Sequence, residues 1–162
     1  VSAGAHLNRD EALQRFDHFL MLMDEQLLAL EADASRQGLP LALGTDTPEQ
    51  LEAVFDALAQ GLSRDADPEG WGSLLVYIGR YLGEWVRQSF GGHWVLSLDD
   101  ARNVNFNTPV VVGHSPVPGL DLAPISLVRA YGLRRRCGTL RRGVLAQVRP
   151  EPPLDLSDLA AR

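Results

Sequence analysis

The sequence predicts an α+β domain, with three N-terminal helices packed on a small antiparallel sheet and one further helix. Three observations carry this. Apolar residues recur at helical spacing up to about residue 92, and each helical stretch opens on a capping signature. From residue 93 the pattern changes to short runs rich in Val and aromatic residues, bounded by Gly, Pro and Asp. At 162 residues, 45% hydrophobic and 22% charged, the chain has the length and composition of one globular domain. A chain of this size buries roughly 70% of its unfolded surface. Residues 1–149 read as that domain, helical over 8–92 and mixed strand and helix over 93–149, with 150–162 a Pro-rich acidic tail.

Residues 8–36 read as one long helix. Asn8 with Glu11 three residues later makes a capping box. Leu13, Phe16, Leu20, Met23, Leu27, Leu30 and Ala34 then alternate spacings of three and four. Ala12, Phe19 and Leu22 widen the stripe, which favours a buried bundle helix over a two-stranded coiled coil. Gly38 and Pro40 end it. A second helix opens at Thr47-Pro48-Glu49-Gln50 with Thr47 as N-cap, buries Leu51, Val54, Phe55, Leu58 and Leu62, and stops at Gly61 and Ser63. A third opens at Asp67-Pro68-Glu69 and carries Trp71, Leu74, Leu75, Ile78, Leu82, Trp85 and Val86 on one face. Gly72, Gly79 and Gly83 inside it each cost about 1 kcal/mol relative to Ala. Gly79 and Gly83 lie one turn apart, so they predict a close approach of another element. Gly91-Gly92 supply the left-handed stop.

Beyond residue 92, strands are expected at 93–98, 104–106 and 110–112, with a turn at Asp99-Asp100. Pro116, Pro118 and Gly119 make 114–121 a loop. Residues 124–136 read as a helix with Ile125, Val128 and Tyr131 inward, and 144–148 as a last strand.

Charge is divided along the chain. Residues 1–60 hold eleven acids and three arginines, a net −8, whereas 129–149 hold seven arginines and no acid, a net +7. All fifteen basic residues are Arg, which with the abundant Leu, Ala and Gly fits the coding bias of a GC-rich bacterial genome. Arg134, Arg135, Arg136, Arg141 and Arg142 are candidates for an anion- or partner-binding patch. The competing reading has them neutralised by the acidic helices of the same chain. No aromatic platform is interleaved with them, and the whole chain carries −6, so the composition argues against nucleic acid as partner.

Chemistry-bearing motifs are sparse. The single Cys137 excludes an internal disulfide. The four histidines show no zinc-ligand spacing, and no cofactor or metal is expected. His93, Asp99, Asp100 and His114 flank the strand region and are pocket candidates for an acid–base site. Glu84, within an apolar helix, is a further candidate, with pairing to Arg80, Arg87 or Gln88 as its ordinary alternative. There is no apolar run long enough to span a membrane and no charged-then-apolar leader pattern. The chain starts at Val1, consistent with removal of a leader or tag, and the expected location is the cytoplasm.

The stretch from Tyr77 through Gly79, Gly83-Glu84-Trp85 and Gly91-Gly92-His93-Trp94 resembles a recurring pattern of small bacterial domains of unknown function. In that pattern a Leu-Gly-x-x-Leu-Gly-Glu helix runs into Gly-Gly-x-Trp. The likeness covers residues 71–136 and implies an architectural role for Gly79, Gly83, Gly91, Gly92 and Trp94, with no catalytic residue to carry over. The leading functional expectation is a non-enzymatic protein-interaction module, binding a partner or forming a homodimer through the long helix and the basic segment. The alternatives are a small hydrolase or nuclease using His93, Asp99 and His114, and an anion or nucleic-acid binder through residues 134–142.

Overall fold

A computed structural model describes residues 8–98 and 107–150. Its elements are α1 (Arg9–Met21), α2 (Met23–Arg36), α3 (Thr47–Leu58), α4 (Pro68–Phe90), β1 (His93–Leu96), β2 (Pro109–Val112), α5 (Pro124–Arg134) and α6 (Thr139–Val148). The α+β class is as the sequence predicts, with one two-stranded antiparallel sheet among the described residues. In the sheet His93 pairs with Val112, Trp94 with Val111, Val95 with Val110 and Leu96 with Pro109. An isolated bridge from Val111 to Leu122 fastens the following loop to the hairpin.

The hub is α4, which touches α2, α3, α5 and β2. It starts as predicted, with the Asp67 side chain accepting from the Gly70 N–H at 2.9 Å and Pro68 in the first turn. Every residue from 78 to 86 is buried, so the middle of α4 has no solvent face at all. Its glycines explain how neighbours come so close. A Cβ on Gly79 would fall 2.9 Å from the Ile125 Cα of α5, and one on Gly83 would fall 2.1 Å from the Trp94 ring of β1. Gly72 faces open space instead. Gly91 and Gly92 adopt φ of +84° and +102°, the left-handed region that ends the helix and turns the chain into β1.

Three expectations are corrected. The predicted helix over 8–36 is two helices, broken at Leu22, whose φ −86° and ψ 2° leave the helical region. The break lets each half bury a different stripe. In α1 Ala12 and Phe19 face inward, while Leu13 and Leu20 are 37% and 38% exposed; in α2 the expected Met23, Leu30 and Ala34 are buried. At α3 the N-cap is Asp46, not Thr47. Thr47 lies just inside the helix, where its buried hydroxyl accepts from the Gly44 N–H at 2.8 Å and reaches the carbonyls of Ala42 and Gly44. The predicted strand at 144–148 is the second half of α6. Leu140, Val144 and Val148, all buried, repeat every four residues and make a helical stripe that the short apolar run concealed. The strand expected at 93–98 is paired over 93–96, and the expected turn at Asp99-Asp100 and strand at 104–106 lie outside the described residues.

Candidate functional site

The basic segment folds onto α3, with Arg135 at the end of α5 and Arg141 in α6 set against acids two turns apart on α3. Glu49, Glu52 and Asp56 project from the same side of α3, at the helical spacing of three and four residues. Arg141 forms a two-pronged pair with Glu49, Nε to Oε1 and Nη2 to Oε2, both at 2.6 Å. This hydrogen bond holds the Glu49 carboxyl below its ordinary range. Arg135 reaches Asp56 at 2.6 Å and stacks over Phe55. Between them Glu52, only 3% exposed, accepts backbone N–H groups from Gly138 at 2.8 Å and Leu140 at 2.9 Å. Those are orphan donors of the α6 N-terminus, so a carboxylate from α3 caps a helix 86 residues further along the chain. Arg134, Arg136 and Arg142 are exposed, and Arg142 bonds the Cys137 carbonyl at 3.3 Å. Two of the five candidate arginines are thus taken up by the chain's own acids.

The second set of candidates does not share a pocket. Glu84 accepts from Arg87 Nη1 and from the Trp94 indole N–H, both at 2.7 Å, and so holds β1 to α4. His93 is exposed, on the opposite side of β1 from Trp94. His114 is buried. Burial lowers its pKa, opposed by the backbone of Gln147 and Val111 and by Asp121. Asp99 and Asp100 lie outside the described residues. Among the described residues no group of His, Cys, Asp and Glu is arranged to hold a metal ion.

A larger cavity than any at these residues lies elsewhere. A groove of about 930 Å³ runs between α1, α4, the hairpin and α5. That is the upper part of the range for ligand pockets, about 300–1,000 Å³. Phe16, Phe19, Leu75, Leu96, Pro109 and Ile125 give it apolar walls. Its charged lining is mainly cationic, with Arg15, Arg80 and Arg129 against Glu69. Arg80 comes from the middle of α4 and is 6% exposed. Its guanidinium lies 4.3 Å from the centre of the Phe19 ring, and Nη2 makes a long 3.4 Å bond to the Phe19 carbonyl. Its Nε has no partner, and among the described residues no carboxylate lies within ion-pair distance. Burial alone pushes its pKa down.

The sequence offers Arg80 only as one of three possible helix-surface partners of Glu84, beside Arg87 and Gln88. The signal that it is not there was available: glycines at 79 and 83 mean that α4 is crowded on that side too.

The chain finds no match among protein-family models, curated proteins or solved structures. Among the described residues no helix is long and apolar enough to cross a membrane.

Proposed function

We propose that the chain is a non-enzymatic protein-interaction module whose groove between α1, α4, the hairpin and α5 receives an apolar, acidic segment of a partner protein. The observation that carries this is the groove itself: apolar walls with a cationic lining on a chain of net charge −6. Opposite charge draws an acidic segment to this face, and the walls bury its apolar side chains. Exposed Leu13 and Leu20 on α1 and Met21 beside them extend the apolar surface along the helix that forms one wall. The basic segment is a weaker candidate, because Arg135 and Arg141 are already paired with Asp56 and Glu49. The hydrolase reading has less to support it, since Glu84, His93 and His114 line none of the cavities described.

The test is selection of peptides from a random display library against the immobilised protein, followed by mapping with backbone amide shifts. The expected outcome is shifts clustered at Phe16, Phe19, Tyr77 and Ile125. Shifts confined to residues 133–143 would overturn the groove. So would reproducible turnover of an ester, phosphodiester or peptide that His93→Ala or His114→Ala abolishes.

A further inference from the structure

We infer that Arg80 is the anchor of the groove, a preformed site for one carboxylate of the docked segment, whether an Asp or Glu side chain or a chain terminus. This rests on the module reading above and adds the chemistry of its recognition. Every other buried charge described in the fold is satisfied from within. Glu52 takes two backbone N–H groups, and Glu84 takes Arg87 and the Trp94 indole. Arg80 is the exception, a guanidinium 6% exposed with an unpartnered Nε and no carboxylate beside it. Leaving a charge buried and unpaired is costly, and a matching anion would relieve part of that cost.

The geometry selects the anion. The guanidinium offers a planar fork, which matches the two oxygens of a carboxylate. The Phe19 ring lies against the guanidinium, 4.3 Å from its centre, and helps to hold it in place before binding. The apolar walls lower the local dielectric and strengthen the pair that forms between them. Arg15 and Arg129 lie at the same groove and attract an acidic segment before it docks.

The experiment uses a groove-binding peptide from the selection above in a double-mutant cycle. One arm changes Arg80→Met in the protein, and the other changes the peptide's acidic residue to its amide. Each single change should weaken binding by about 10- to 100-fold, the range for a charge-assisted hydrogen-bonded pair, and the double change should weaken it no further. Raising salt should erode the contribution of Arg15 but leave that of Arg80 nearly intact. Arg80→Met should fold, because it removes an unpaired charge from an apolar site. If it does not, Arg80→Lys keeps the charge without the fork and should show nearly the same loss of affinity.

The failures are separable. Peptides that bind the groove without an acidic residue, or with additive losses in the cycle, overturn the anchor while the module stands. Absence of any groove-binding peptide overturns both.

Discussion

Gly83 of α4 lies so close beneath Trp94 of β1 that a Cβ on it would fall 2.1 Å from the indole Cζ2. The ring has nowhere to go. Its N–H is held by Glu84 at 2.7 Å, and its edge packs against Phe19 at a centroid distance of 5.0 Å. Gly83→Ala should therefore destabilise by about 1–3 kcal/mol, as overpacking does, and Gly83→Leu should abolish folding. Gly72→Ala is the contrast, because nothing lies within 4 Å of its Cβ position. It should stabilise by up to about 1 kcal/mol through helix propensity alone. Urea melts of the three variants check this; equal stability of Gly83→Ala and the parent protein would mean that the contact is soft.

Glu52 is the other side chain on which a distant element depends. Glu52→Ala strips two backbone N–H groups at the α6 N-terminus of their acceptor in a buried setting. Each unsatisfied buried donor costs about 1–3 kcal/mol, so the two together should cost about 2–6 kcal/mol. Glu52→Gln keeps one acceptor oxygen and should lose about half as much. Hydrogen exchange should show α6 opening first in both variants. Uniform exchange across the chain would argue against a local cap.

The Arg141–Glu49 pair should behave differently, because both partners are partly exposed. Arg141→Gln should cost no more than about 1 kcal/mol, and the cost should shrink as salt screens the pair. The Glu49 carboxyl is lowered, chiefly by its hydrogen bond to Arg141. Its contribution is thus present above the ordinary value of 4.5 and lost as pH falls through the depressed one. Denaturant melts over that acid range should lose their pH dependence in part in Arg141→Gln. The same pairing predicts weak retention on heparin at physiological salt, and tight retention would restore the anion-binding reading of the basic segment.

How far the sequence reached is plain from individual elements. The Asp67 cap, the Gly79 and Gly83 approach and the inward faces of α4 and α5 are local signals, and local signals survive folding. The break at Leu22 has no Gly or Pro to announce it, because it is set by the different neighbours of α1 and α2. The α6 cap comes from Glu52, 86 residues away, so no window around Thr139 contains it. Arg80 was misplaced because helical periodicity assigns a charged residue to the solvent side, and the middle of α4 has no such side. Long-range proximity, not residue type, is what the linear pattern lacked.

The three tyrosines give an alkaline test of that proximity. Tyr77, Tyr81 and Tyr131 donate to Asp33, Glu31 and Asp56 at 2.7, 2.7 and 2.9 Å, and they are all the tyrosines of the chain. Burial, then the bonded carboxylate, raises each phenol well above its ordinary value of 10.0. A group raised in the folded state adds stability below that ordinary value and loses it as pH climbs toward the folded one. Phenolate absorbance should therefore not rise near pH 10 but appear together with alkaline unfolding. A tyrosine titrating near pH 10 in the folded protein would show its hydrogen bond to be absent.

His114 gives the acid counterpart, and here the sign runs the other way. Its ring is buried, so burial disfavours the imidazolium and lowers the pKa beneath 6.5, against the opposing pull of the Gln147 and Val111 backbone and of Asp121. The unfolded chain then binds a proton more readily than the folded one. Stability associated with the neutral ring is present above pH 6.5 and lost as pH falls through the folded value. His114→Leu removes the group that must charge, so its melts should be flatter than those of the parent protein between about pH 7 and pH 5. His93→Ala, at an exposed site, should leave the slope unchanged. The measurement is urea unfolding of the three proteins across that range. A parent slope that persists in His114→Leu would place the acid sensitivity on other groups. A slope abolished by His93→Ala would instead mean that the two histidines titrate together, and would reopen the acid–base reading of the hairpin.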